Sequence, residues 1–122
     1  MTVPALLHLL PTEQVALRTY SNRIRERFSD RILGMMLFGS KARGEAGAES
    51  DLDLLVLVDV ETPNFRSELW QIASDISLDY NLVLSPRVVG QARWNEMRRM
   101  RLPLYRAIVA DGIVLIPEPL PT

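Results

Sequence analysis

The sequence predicts an α+β domain, a mixed β-sheet flanked by helices, and three observations lead there. Two apolar runs, Ile32–Phe38 and Leu54–Val58, have the length and composition of buried strands. Apolar residues at helical spacing precede the first run and follow the second. A further apolar stretch, Leu82-Val83-Leu84 within Asn81–Val89, comes after that later helix, so strand, helix and strand form a crossover-type unit. A length of 122 residues leaves room for one domain, residues 1–122, with a modest core.

The elements follow in order. Residues 1–11 include Val3-Pro4-Ala5-Leu6-Leu7-His8-Leu9-Leu10. They carry no charged leader, and Pro4 and His8 interrupt the apolar core, so neither a secretory signal nor a membrane span is expected. They read as an arm packed on the domain, with packing on a partner as the alternative. Thr12 is the expected N-cap of the first helix, and Glu13 lies in the first turn, where the helix dipole favours an acid. Leu17, Tyr20, Ile24 and Phe28 form its buried stripe, leaving Arg18, Arg23, Arg25 and Arg27 on a solvated face. Ser29-Asp30-Arg31 lead into the first strand. Beyond the second strand, Thr62 as N-cap and Pro63 at the first helical position open another helix. Its stripe is Phe65, Leu69, Ile72, Ala73 and Ile76, with Trp70 also read as a packing residue. Pro86 marks the following strand as an edge or an end. Trp94, Met97 and Met100 recur at helical spacing and read as core. Leu104, Tyr105, Ile108 and Val109 define a short helix stopped at Gly112, and Ile113–Ile116 a short last strand. Residues 117–122, with three prolines, read as a flexible tail.

Composition removes several chemistries. The net charge is −1 and 48% of residues are apolar, an ordinary globular balance without the basic excess of a nucleic-acid binder. There is no cysteine, which excludes disulfides, thiol catalysis and zinc–thiolate sites and fits a reducing cytoplasm. One histidine, His8, argues against a histidine-based centre. Thirteen arginines stand beside a single lysine, Lys41. Between residues 87 and 106, Arg87, Arg93, Arg98, Arg99, Arg101 and Arg106 stand against one acid, Glu96. A patch for nucleic acid or an acidic partner is one reading. A solvated face is the favoured one, because few aromatics interleave with these arginines.

The stretch Leu37–Val58, LFGSKARGEAGAESDLDLLVLV, carries the chemistry. Asp51 and Asp53, at i and i+2 on a strand, project from one face. Two acids opening so apolar a strand need a partner, and a divalent cation is the obvious one. Taken alone, Asp-x-Asp more often marks an exposed strand end. Gly39-Ser40, ten residues upstream and after a strand of its own, changes the balance. Glycine lets backbone approach a ligand, and the residues after it can open a helix toward phosphate. Together they form one site for a nucleoside triphosphate with Mg²⁺. Arg43 can contact phosphate, or can pin the loop by pairing with Glu45 or Glu49. There is no G-x-x-x-x-G-K-[ST] run, so a P-loop is the poorer match.

The run GSKARGEAGAESDLDLLVLV resembles the signature of the DNA polymerase β-like nucleotidyltransferases, and its G-S-x-A-R-G segment and the small size resemble the minimal nucleotidyltransferase group. The resemblance implies Mg²⁺-dependent transfer of a nucleoside monophosphate, AMP from ATP first among them, to a hydroxyl acceptor. Asp51 and Asp53 hold the metal in that reading, and Gly39, Ser40 and Arg43 meet the nucleotide. It implies an antitoxin role, a tyrosine of a small helical HEPN toxin being the acceptor, and is compatible with assembly into an oligomer. Family enzymes carry a third carboxylate on the strand after the crossover helix. The only acid near that strand here is Asp79, with Asn81 as a weaker neutral ligand of the same parity. If Asp79 faces the pair, catalysis gains weight. If it does not, a catalytically degenerate module that binds and neutralises a helical partner gains instead.

Overall fold

The structure is a computed structural model and describes residues 8–45 and 51–116. Its centre is a four-stranded mixed sheet of order β3-β2-β1-β4. β1 (Ile32–Phe38) pairs antiparallel with β2 (Leu52–Val58) and, on its other side, with β4 (Ile113–Ile116); β3 (Leu84–Gly90) runs parallel to β2. The parallel pair is joined by α3 (Pro63–Tyr80), the expected crossover. Pro86 lies in β3, an edge strand, where a missing backbone donor is tolerated.

Strand alternation divides the core into two layers. Met35 and Leu37 of β1, the even-numbered residues Leu52–Val58 of β2, and Leu84 and Val88 of β3 face α1 (Pro11–Phe28) and α3. Tyr20, Leu17 and Ile24 from α1 and Phe65, Leu69, Ile72, Ala73 and Ile76 from α3 complete that layer, as their spacing predicts. Tyr20 is fully buried, and its hydroxyl donates to the Leu69 carbonyl at 3.0 Å, so α1 is tied to α3 by a polar bond inside apolar packing. Burial also pushes the Tyr20 phenol well above its usual pKa, so it stays neutral. On the opposite face Met36, Phe38, Leu55, Leu57 and Val89 meet Trp94 and Met97 of α4 (Gln91–Arg99) and Ile108 of α5 (Pro103–Asp111). Each fully buried aliphatic or aromatic side chain contributes about 1.5–3 kcal/mol.

Several expectations need correction. α1 starts two residues early: Leu10 is its N-cap, Pro11 sits at the first position, and Glu13 accepts the Leu10 N–H at 2.9 Å, so Thr12 is inside the helix. Thr62 does cap α3, accepting the Phe65 N–H at 3.1 Å. Trp70 is 43% exposed and Met100 55% exposed, so neither is core; α4 ends at Arg99 and carries Met100 out of the stripe. The strand expected over Asn81–Val89 begins only at Leu84, because α3 runs to Tyr80 and Asn81 takes a left-handed conformation to end it. Leu9 is buried in the core, in keeping with an arm that packs on the domain. Residues 1–7 of that arm and the tail 117–122 lie outside the described residues.

Candidate nucleotide and metal site

The site forms where β1 ends and β2 begins. Antiparallel register sets Phe38 against Asp53, so the residue after Phe38 arrives beside that carboxylate. That residue is Gly39, with φ +77°, a conformation that L side chains rarely adopt. A Cβ there would lie 2.6 Å from Asp53 Oδ2. Backbone conformation and space therefore both demand glycine, and the demand comes from the acid itself. The short helix α2 (Gly39–Arg43) follows and closes with Gly44 at φ +75°. Ser40 is half-buried, and its carbonyl accepts the Glu45 N–H at 3.1 Å.

Asp53 shares the face of Leu55 and Leu57, toward the α4–α5 layer. It is half-buried and Asp51 is exposed. Burial first, and then the neighbouring Asp51 charge, push the Asp53 carboxyl up from its ordinary pKa, while the Arg87 guanidinium opposes the push. Neither aspartate accepts a hydrogen bond or forms a salt bridge among the described residues. Such a pair could supply part of a cation site. Its donor set suits one Mg²⁺-like ion, which is commonly bound by one or two carboxylates with substrate phosphates and water supplying the remainder. It does not suit two, since no group of three or more His, Cys, Asp or Glu side chains that could hold a metal exists among the described residues.

Asp79 does not complete the pair. It is the last residue but one of α3, exposed, on the helix that packs against the other face of the sheet. Asn81, in the turn after it, is likewise off the strand. The β3 residues that share Asp53's face are Ser85, opposite Asp53, Arg87, opposite Leu55, and Val89, opposite Leu57. Sequence reading missed Arg87 because the strand's register depends on where α3 stops.

The two basic residues of the motif both pair with acids of the chain. Lys41 is only 5% exposed, and its Nζ donates to Glu13 Oε2 at 2.5 Å. The same carboxylate accepts the Leu10 N–H, while His8 Nε2 donates to the Lys41 carbonyl at 2.6 Å. The start of α1 is thereby bolted to α2. A lone lysine inside an otherwise buried motif was the available signal, since such a charge needs an acid beside it. Arg43 donates to Glu45 at 2.9 Å and to Asp111 at 3.3 Å, so it pins the loop and joins α2 to the end of α5. Of the sequence-derived residues, Gly39 meets Asp53, Ser40 and Asp51 adjoin them in the chain, Arg43 turns to Glu45 and Asp111, and Asp79 stands apart.

The sequence matches the family described as nucleotidyltransferase domain over residues 17–109. A candidate protein adenylyltransferase of Methanocaldococcus jannaschii is 27% identical over 103 residues, covering 84% of this chain and 97% of the relative. A second from the same organism is 35% identical over 71 residues, covering 57% and 72% respectively. The fold is similar to that of a candidate minimal nucleotidyltransferase (TM-score 0.52, 20% identity, 92% of this chain and 98% of the other). It is also similar to a chain of a toxin–antitoxin complex solved with AMP-PNP (TM-score 0.54, 19% identity, 80% and 71%).

Proposed function

Because this chain belongs to the nucleotidyltransferase domain family, we propose that it moves AMP from ATP to a protein hydroxyl, a tyrosine of a small helical HEPN-type toxin, and so acts as an antitoxin in the cytoplasm. The observation that carries the proposal is the contact of Gly39 with the Asp53 carboxylate, which makes the glycine turn and the acid pair one site. Relatives described as protein adenylyltransferases and a toxin–antitoxin neighbour crystallised with AMP-PNP support the nucleotide, the class of acceptor and the partner.

Asp51 and Asp53 would hold the divalent cation that accompanies the triphosphate. When bound, Mg²⁺ neutralises phosphate oxygens and lowers the pKa of a nearby hydroxyl. The Gly39-Ser40 turn cradles the phosphates, and the Lys41–Glu13 pair keeps that turn in place from behind. The acceptor oxygen bonds to the α-phosphorus in line, the bond to the β-phosphate oxygen breaks, pyrophosphate departs with the electron pair, and the hydroxyl proton passes to solvent. The sole histidine, His8, bonds to the Lys41 carbonyl and to neither aspartate among the described residues. A phenol suits such a site, since it ionises near pH 10 and needs less activation than an aliphatic alcohol. No helix among the described residues is long and apolar enough to cross a membrane.

A second reading is favoured by the displaced Asp79: a module that binds and neutralises the helical partner without chemistry. Intact-mass measurement separates the two. The helical protein that copurifies is incubated with this chain, Mg²⁺ and each of the four nucleoside triphosphates, with Asp53→Ala as control. A gain of one or more AMP units, lost in the variant, is expected. A stable complex with no mass change, equal in both proteins, would leave only the binding module.

A further inference from the structure

We propose that Arg87 takes the place of a second cation, so that the Asp51–Asp53 pair works with one divalent ion and one guanidinium. The inference rests on the nucleotidyl-transfer reading above. Parallel pairing of β2 with β3 sets Asp53 beside Ser85 and Leu55 beside Arg87. Leu84 and Val88 are buried against the α1–α3 layer, so Ser85 and Arg87 project to the face that carries Asp53. Arg87 is exposed and, like Arg18, Arg23, Arg25, Arg101 and Arg106, forms no salt bridge or side-chain hydrogen bond among the described residues; what sets it apart is its place on β3, two residues along from the partner of Asp53. The charge of Arg87 nevertheless reaches the Asp53 carboxyl.

The consequence is electrostatic. Two carboxylates and one guanidinium sum to −1, so one divalent ion brings the site to +1, a match for an incoming triphosphate. A second divalent ion would stand beside a fixed positive charge with no carboxylate of its own among the described residues. A guanidinium can perform the phosphate-facing part of that ion's work, because its planar fork donates two parallel bonds to phosphate oxygens and it is always charged. It cannot lower the pKa of an acceptor hydroxyl by coordination, and in that respect the acceptor side of the site differs from a two-metal centre.

The test counts ions. The full chain is saturated with a non-hydrolysable ATP analogue and titrated with Mn²⁺, free ion being read by electron paramagnetic resonance. One Mn²⁺ per chain is expected for the wild type and two for Arg87→Asp, whose fold is checked by circular dichroism. Arg87→Ala is expected to bind the analogue about tenfold more weakly or worse, the scale of one charge-assisted hydrogen bond. Two Mn²⁺ per wild-type chain would overturn the inference and leave the transfer reading intact. Unchanged analogue affinity in Arg87→Ala, or a single ion in a folded Arg87→Asp, would overturn it too. A single Mn²⁺ whose affinity is indifferent to Asp53→Asn sits on the nucleotide alone, and that result would remove the transfer reading as well.

Discussion

Two acid sites mark the opposite ends of the parallel β2–β3 pair, and they are built on opposite principles. Beyond the far end, part-buried Glu61 accepts the Gly90 N–H at 3.0 Å, pairs with Arg66, and lies 3.4 Å from Arg93 Nε. Burial works against its charge, but the Gly90 donor and the two arginines prevail, and its carboxyl is held below the ordinary value. At the near end, Asp53 is half-buried with no donor among the described residues, and its carboxyl is pushed up. A fold that satisfies one carboxylate so fully is able to satisfy the other. Leaving Asp53 short of partners is what the proposed metal-binding role calls for.

Glu13 sharpens the contrast, since it lies behind the site yet follows the Glu61 pattern, with both oxygens occupied. Lys41→Met leaves this buried carboxylate without its cation and is expected to cost about 3–5 kcal/mol in urea unfolding, the largest effect here. Asp53→Asn should behave in the reverse way. Nucleotidyl transfer is expected to fall by about 10²–10³-fold, as when one electrostatic stabiliser is removed. Stability without metal should hold or rise: a carboxyl raised in the fold stabilises it only at low pH, and that contribution is lost as pH climbs through the folded value. A thermal scan at neutral pH checks the sign, and a clear drop would contradict the idea of an unsatisfied acid. Gly39→Ala adds a Cβ against the Asp53 carboxylate at a positive φ, so about 1–2 kcal/mol of backbone strain is expected together with weaker binding of the metal–nucleotide complex. Calorimetric titration with a non-hydrolysable analogue reads the second effect.

Local pattern carried much of this architecture into view, and long-range register carried the rest. The apolar runs of β1 and β2, the Thr62-Pro63 start of α3 and the crossover to an edge strand with Pro86 are all decided by neighbours in sequence, and all are present. So is the juxtaposition of Gly39 with Asp53, because two consecutive antiparallel strands bring the end of one beside the start of the next. Asp79 was misplaced because the left-handed Asn81 ends α3 later than hydrophobic spacing indicates and delays β3 to Leu84. The delay puts Arg87, not an acid, on the site's face. The Lys41–Glu13 pair joins residues 28 positions apart, which no periodicity reveals. Trp70 and Met100 lie outside the buried stripes of α3 and α4, so an apolar side chain alone did not ensure burial.

The smallest expected effect concerns the satisfied end. Glu61→Gln keeps an oxygen for the Gly90 N–H but removes the charge that Arg66 and Arg93 face. Both arginines are about half exposed, so solvent screening limits the loss to about 1 kcal/mol at neutral pH. The pH dependence is the diagnostic part. A carboxyl lowered in the fold stabilises it above the unfolded value, near 4.5, and that contribution fades as pH falls from there through the folded value. Wild type and Glu61→Gln should therefore differ at neutral pH and converge under acid, as read by urea midpoints across that range. Because Glu61 lies beyond the strand ends remote from Asp51 and Asp53, metal and nucleotide binding should be unchanged in the folded variant. A loss of binding without a loss of stability would mean that the two ends are coupled through β2 and β3, and that the satisfied acid serves the unsatisfied one.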